Sequence, residues 1–300
     1  MSANDNFHHV RDFSYFELPR GMHIDLPQIG SFQITKFMVL QVIAALLVLV
    51  IFRGLSKRIG NGQPVAGRFW NFWEMLALFI RDEVVRPTIG DEHHDHGDEH
   101  DFHGPGTHDH GMTDAAVKAA DTAHPADQYL PFIWSCFFYV LICNLLGAIP
   151  FMGSATGNIN VTAVLALCSF GATCLFGFQA MGVGGFFGNL VPDTGMSGAG
   201  GAALGIGMFF IELMGFFIKH SILALRLFGN IMGGHTALGV MLAFIAAAAH
   251  EGAALWGVVT VGSVLGQVGV GILELLVAVL QAYVFSFLAT IFIAGAIHKH

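Results

Sequence analysis

The chain has 300 residues, of which 54% are hydrophobic and only 11% are charged. The apolar residues occur in long blocks, which indicates a polytopic membrane protein and excludes a soluble globular domain. The formal net charge of -8 comes largely from one acidic segment, so it gives no indication of nucleic-acid binding.

The N-terminal part of the chain, residues 1–33, is polar and is interrupted by Pro19 and Pro27. It lacks the cationic region followed by an apolar core that marks a cleaved signal peptide. The apolar run Ile34–Phe52 that follows has the length needed to cross the bilayer core. We therefore predict an extracytoplasmic segment over 1–33 and a first transmembrane helix within 34–53.

Residues 54–89 are basic and contain apolar side chains at helical spacing. The repeating apolar positions are Phe69, Trp73, Leu76, Ile80 and Val84. An ordinary soluble connector is possible, but the Trp and Phe content favours an amphipathic helix on the membrane surface. Six of the thirteen Lys and Arg residues fall in or next to this segment, which predicts that this side is cytoplasmic and the N-terminus is outside.

Residues 90–128 contain many His, Asp and Glu side chains and few apolar ones, which predicts a disordered insertion. A metal sensor is the alternative, because imidazoles bind Zn or Ni. Tracts of this composition seldom hold the ligands in fixed positions, so we predict no defined metal site and no cofactor. The histidines in question are His93, His94, His96, His100, His103, His108 and His110.

Residues 129–300 are predicted to form a helical domain with four further spans. Tyr129–Phe151 and Asn158–Phe187 are two of them. The runs Ala203–Ala249 and Gly252–Ala296 each exceed 40 residues, and a helix of that length measures ~65 Å against a bilayer core of ~30 Å. Neither run contains proline or a polar turn, so we predict one strongly tilted helix each, joined at residues 250–252. The fold is thus an all-α membrane protein with five transmembrane helices and one surface helix.

Between Lys118 and Lys299 the only cationic side chains are Lys219 and Arg226, seven residues apart, and Glu212 lies seven residues before Lys219. This spacing puts all three on one helix face. Lys219 can equally be a side chain that extends to the headgroups. Arg226 is flanked by long apolar stretches, and a charge in that position usually marks an ion or substrate path.

Small residues recur every four positions beside Arg226, at Gly229, Gly233 and Ala237. Such a pattern allows a second helix to approach closely. That helix can belong to this chain or to a partner that slides past the arginine. Both possibilities are open from the sequence.

The last two helices carry further isolated polar residues. Gln267, Glu274 and Gln281 are spaced by seven on the final helix. In the predicted hairpin, Glu274 and His235 lie at a similar depth on the side of the turn, and Gln281 lies nearer the depth of Arg226. Because His and Glu can both carry a proton, this arrangement predicts a proton-accessible aqueous path, with Asn230 one turn beyond Arg226. Glu212 lies on the other side of the arginine.

The segment SILALRLFGNIMGGHTALG resembles the signature of subunit a of F-type ATP synthases. ITKFMVLQVIAALL, FIRDEVVRPTIG, FFYVLICNLLGAIP and GNINVTAVLAL extend the resemblance to nearly the whole chain outside 90–128. The resemblance implies that Arg226 faces the carboxylate of the rotating ring of c subunits. It implies that an outer half-channel is lined by Asn230, His235, Glu274 and Gln281, and an inner one by Glu212.

The resemblance also implies the partners: the c-subunit ring, b-type peripheral stalk subunits, the rest of the ATP synthase and membrane lipids, in a bacterial inner membrane. No GxxxxGK[ST] motif occurs, so ATP chemistry is expected in partner subunits and this chain is expected to be non-catalytic. The main alternative is a stand-alone secondary ion or divalent-metal transporter, although such proteins usually show repeated halves or broken helices. A purely structural scaffold would not need intramembrane charges.

Overall fold

The computed structural model describes residues 15–18, 22–29, 32–59, 67–90, 124–149, 153–190 and 199–298. Five of its helices are long and apolar enough to cross a membrane, as the sequence predicts. They cover Lys36–Ser56, Pro125–Gly147, Ile159–Asn189, Leu204–Ala248 and Ala253–Ile297.

Two short antiparallel strand pairs precede the first helix and were not predicted. Strand β1 (Tyr15–Leu18) pairs with β2 (Met22–Asp25), and β3 (Gln28–Ile29) pairs with β4 (Phe32–Gln33). The Gln33 side chain donates a hydrogen bond to the carbonyl of Leu26, which lies just before β3. Helix α1 (Lys36–Ser56) follows directly.

The basic segment forms one nearly continuous helix. Helix α2 (Arg68–Phe79) runs through a π-helical turn (Ile80–Val85) into α3 (Arg86–Gly90). The predicted apolar face is buried at Trp73, Ile80 and Val84. Phe69 was expected on that face but is exposed. It lies at the start of an exposed apolar face that also contains Phe72, Met75 and Phe79.

A charged pair fixes this segment to the start of helix α4 (Leu130–Gly147). The Arg86 guanidinium donates from Nε to Oδ1 of Asp127 at 3.1 Å and from Nη2 to Oδ2 at 3.0 Å. Asp127 belongs to a 3-10 turn, Pro125–Tyr129, whose preceding residue His124 accepts a hydrogen bond from the Ala126 amide. Our prediction of disorder was therefore wrong for residues 124–128, because this pairing orders them. The seven histidines named above lie outside the described residues.

Helix α5 (Ile159–Asn189) follows a 3-10 turn (Ala155–Gly157) and is broken at Gly182, whose φ is +72°. The break turns the end of the helix back toward its own body. Phe186 then packs on Gly177, where a β-carbon would lie only 2.5 Å from the phenylalanine ring. Only glycine fits both positions, one for its backbone conformation and the other for space.

Helices α6 (Ala199–Ala248) and α7 (Ala253–Ile297) form the predicted hairpin. Each is a single helix, so the prediction of one long helix per run is confirmed. With 50 and 45 residues, they measure ~75 and ~68 Å at 1.5 Å per residue. They fit a ~30 Å bilayer core only if they are strongly inclined. Gly252, with a φ of +126°, begins α7 at the predicted turn.

The core lies where α4, the middle of α6 and the second half of α7 meet. Ile133, Phe137, Leu223, Phe285 and Ile293 are fully buried there. Helix α1 packs on the other side of α4. The half of the hairpin near its turn is different, because its large apolar side chains are mostly exposed. Those on α7 include Val258, Leu265, Ile272 and Leu276. A surface of this kind needs lipid or a partner helix to cover it.

Candidate functional site

Arg226 lies on the outer surface of the helix bundle. Leu223, Leu227 and Ile231, on the adjoining face of the same helix, are buried in the core. The arginine side chain is exposed, between the exposed Ile222 and Leu225. Within the described part of the chain it has no hydrogen-bond or ion-pair partner. A guanidinium in this position on an apolar surface marks Arg226 as a candidate functional residue.

The two glycines beside Arg226 leave an open surface. A β-carbon built on Gly229 or Gly233 would meet no described atom within 4 Å. The alternative that these residues serve helix packing inside this chain is therefore not supported. Ala237 continues the row and is half-buried.

Gly234 has the opposite surroundings, because the carboxyl group of Glu274 packs against it. A β-carbon on Gly234 would lie 2.9 Å from both Cδ and Oε1 of Glu274. Glu274 is only 9% exposed and faces α6. This contact brings Glu274 to the level of residues 234 and 235, as the hairpin predicts. His235 and Glu274 are thus neighbours in depth.

Polar atoms without partners cluster between the two long helices. Eight buried side-chain nitrogen or oxygen atoms in the described residues lack a hydrogen bond, and five of the eight belong to this hairpin. An unsatisfied buried polar group costs about 1–3 kcal/mol, so such groups are usually paired with water or with another molecule. The five atoms are Asn230 Nδ2, His235 Nε2, Thr260 Oγ1, Gln267 Nε2 and Gln281 Nε2.

A buried hydrogen-bond network holds α7 beside these residues. Asn144 Nδ2 donates to the carbonyl of Ala278, which lies between Glu274 and Gln281 on the helix. The Thr156 hydroxyl donates to Asn144 Oδ1 at 3.0 Å, and Ser154 lies 2.9 Å from Thr156. Our sequence analysis missed this network. Its signal was an asparagine within an apolar run and two hydroxyl residues in a short loop.

Glu212 lies on the far side of Arg226 from this cluster, as predicted. Its Oε1 is 3.5 Å from Lys219 Nζ, and both side chains are about half exposed. Glu212 and Lys219 therefore lie on the same helix face, as predicted, and form an ion pair. The two residues line a cavity of about 410 Å³, which is also bordered by Asn189 of α5 and Gly295 of α7.

His220 is a second residue that sequence analysis missed. It is 3% exposed, with Nδ1 at 2.9 Å from the carbonyl of Phe216 and Nε2 at 3.5 Å from the Thr173 hydroxyl. The rings of Phe170 and Phe292 pack around it. These contacts join α5, α6 and α7 next to Lys219. His220 is therefore a packing residue, and each of its two ring nitrogens has a hydrogen-bond partner.

The described residues contain no group of three or more His, Cys, Asp or Glu side chains that could hold a metal ion. Cys136, Cys143, Cys168 and Cys174 are free thiols. The histidine-rich tract, for which we predict no defined metal site, lies outside the described residues, so the metal-sensor alternative stays untested.

Comparison with known proteins shows one family. Residues 111–294 match the family described as ATP synthase A chain. The chain is 31% identical to the ATP synthase subunit a of Chloroherpeton thalassium, with 98% of this chain and 76% of the relative covered. It is 32% identical to ATP synthase subunit a 2 of Chlorobaculum tepidum, and the alignment covers 96% of this chain and 71% of the relative. It is also 32% identical to the ATP synthase subunit a of Myxococcus xanthus, and this alignment covers 89% of this chain and 75% of the relative.

Proposed function

Because this chain belongs to the ATP synthase A chain family, we propose that it is the stator subunit that carries two proton half-channels to and from a ring of c subunits. Proton flow through these paths drives rotation of the ring and ATP synthesis in other subunits. The single observation that carries the assignment is the exposed, unpartnered Arg226 between two polar clusters. The family match argues against a stand-alone transporter.

The outer path starts near the hairpin turn and includes His235, Glu274, Asn230 and Gln281. A proton that enters there neutralises a ring carboxylate, which can then move into lipid. The close contact of Glu274 with α6 and the unpartnered nitrogens of the other three residues support this role. Unpaired donors and acceptors in an apolar bundle are what a chain of water molecules requires.

The inner path contains Glu212 and the cavity beside it. After the ring has turned, a carboxylate loses its proton toward Glu212 and the cytoplasm. Lys219 holds the Glu212 carboxylate in position by pairing with it. Each charge that crosses the membrane supplies ~2.3 kcal/mol per 100 mV, so several protons are needed for each ATP.

Arg226 separates the two paths. A fixed positive charge in low dielectric favours the ionised ring carboxylate and opposes the direct passage of a proton. Gly229, Gly233 and Ala237 give the ring a surface without protruding side chains. The partners proposed on this basis are the c ring, b-type stalk subunits and the remaining ATP synthase subunits, in the bacterial inner membrane.

The test is to purify the assembled complex through a tag on this chain and to ask whether a ring of small hairpin subunits copurifies. Membrane vesicles with Arg226→Ala are then assayed for ATP-driven proton pumping. We expect the ring to copurify and the variant to lose pumping, while Arg53→Ala, which removes an exposed arginine near the helix end, retains it.

Arg226→Lys should also lower pumping, by about tenfold or more, because lysine lacks the planar fork of donors and can lose its proton in an apolar site. A complex without a ring, or wild-type pumping by Arg226→Ala, would overturn the proposed function.

A further inference from the structure

Four polar residues form a straight row on α7, and the proposed half-channels account for only two of them. Thr260, Gln267, Glu274 and Gln281 are spaced by seven residues. Seven residues are almost two full turns, so the four side chains share one face and are ~10.5 Å apart along the axis. Thr260 and Gln267 extend this row from Glu274 toward the hairpin turn.

Both of these residues carry buried polar atoms that have no partner. Thr260 Oγ1 and Gln267 Nε2 are inaccessible and make no hydrogen bond to any described residue. The exposed side chains around Gln267 on this part of α7, such as Leu265 and Val268, are large and apolar. Contact with water at an exposed surface therefore does not explain the two polar residues. If Gln267 served packing alone, an apolar residue of the same size would suit the position better.

An open, groove-like cavity of about 560 Å³ lies between α6 and α7 on the turn side of Gln267. It is lined by Glu251 at the turn and by Ser263, which is one helical turn from Gln267. Met241 also lines it and packs on Gly266, where a β-carbon would lie 2.8 Å from the sulfur. The cavity therefore extends from the turn to Ser263, one helical turn short of Gln267.

We propose that Gln267, with Thr260, continues the outer proton path from Glu274 to the cavity at the hairpin turn. The carboxamide of Gln267 both donates and accepts hydrogen bonds, so it can order water between the cavity and the Glu274 carboxyl. It releases no proton itself, and its role is to position the water chain. This inference rests on the proposed function of the hairpin as a proton path.

The first experiment compares substitutions at Gln267 in vesicles that hold the whole ATP synthase. Gln267→Met keeps the size of the side chain but removes its hydrogen bonds, and we expect pumping and ATP synthesis to fall about fivefold or more at equal assembly. Gln267→Glu restores hydrogen bonding and should retain most of the activity. Gln179→Met, the same change at an exposed position on α5, is the matched control and should have no effect.

The second experiment measures access of water to this position. In a chain whose four native cysteines are replaced by serine or alanine, Gln267→Cys is treated with Ag⁺, which reaches thiols through water. We expect rapid inhibition of pumping. Val268→Cys, on the exposed apolar face, should resist Ag⁺ because lipid surrounds it. If Gln267→Met does not assemble, this measurement still decides the question.

The outcomes separate the two proposals. Wild-type pumping by Gln267→Met, or a Gln267→Cys variant that resists Ag⁺, would overturn the role of Gln267. If Arg226→Ala abolishes pumping in the same membranes, the proposed function survives that result. If Arg226→Ala pumps normally, both proposals fail.

Discussion

The carboxyl group of Glu274 lies directly against the backbone of Gly234, and no side chain could be added at that glycine without moving the carboxyl group. The two residues belong to different helices and are 40 positions apart (274 minus 234). The contact fixes the distance between α6 and α7 at the level of His235. Under the proposed function, it thereby determines where the carboxyl group can exchange a proton.

Gly234→Ala should disturb proton transfer without preventing assembly. The new β-carbon would displace the Glu274 carboxyl by up to about 1 Å, and a misplacement of that size can lower a rate by as much as ~100-fold. We expect a loss of at least about tenfold in ATP-driven pumping, measured by fluorescence quenching in vesicles. Gly207→Ala, on the same helix but with open space around it, is the control. Equal pumping by both variants would contradict a role for the contact.

His235 and Glu274 should behave as one functional pair. His235→Glu puts two acids together and Glu274→His puts two imidazoles together, so each single change should impair proton entry. The double swap restores one acid and one imidazole and should recover part of the activity. The measurement is pumping at equal assembly for all four proteins, analysed as a double-mutant cycle. A double variant no better than the worse single variant would show that the residues are independent.

Loss of the Asn144 network should destabilise α7 where it carries Glu274 and Gln281. Asn144→Leu and Thr156→Val each leave a buried partner unsatisfied, which costs about 1–3 kcal/mol. Because the two residues share a hydrogen bond, the effects should be less than additive. Thermal inactivation of the purified complex measures the change. Ser135→Ala, which removes an exposed hydroxyl bonded to its own helix, should leave the midpoint unchanged.

Deletion of residues 93–112 should leave assembly and pumping close to normal. Nearly all of these residues precede the family match, which begins at residue 111, and they contain few apolar side chains that could dock on the helices. Pumping and copurification of the ring measure the outcome. If the deleted protein assembles but does not pump, and the intact protein loses pumping when zinc is chelated, the metal-sensor alternative gains support instead.

The sequence was sufficient for those parts of the structure that follow from periodicity and length. The hairpin turn at residues 250–252 follows from the lengths of the two apolar runs. By helix rise alone, Glu274 (274 − 252 = 22 residues after the turn) would lie ~10 Å farther from it than His235 (250 − 235 = 15 residues before it), so their common level in the structure depends on how the two helices cross. The contact between Gly234 and Glu274 could not be predicted, because it depends on the rotation of each helix about its axis. The Asn144 network likewise depends on the packing of distant segments, and a single sequence carries no record of that packing.

The N-terminal strand pairs and the turn at 124–128 escaped prediction for a different reason. Each is only a few residues long and is stabilised by local or pairwise contacts, such as the one between Arg86 and Asp127. Composition and periodicity are read over windows of about 11–18 residues. In such a window the neighbouring polar tract outweighs a turn of a few residues, so the sequence does not predict that the turn is ordered.

The same turn brings together the two described residues that flank the acidic, histidine-rich tract, Gly90 and His124. A β-carbon on Gly90 would lie 2.5 Å from the His124 ring, so the chain departs and returns at one point on the protein. The entropy of closing such a loop grows only with the logarithm of its length, by ~0.6 kcal/mol for each doubling. Insertions or deletions in the tract can therefore accumulate without changing how the helices meet, and this site could accept a whole inserted domain.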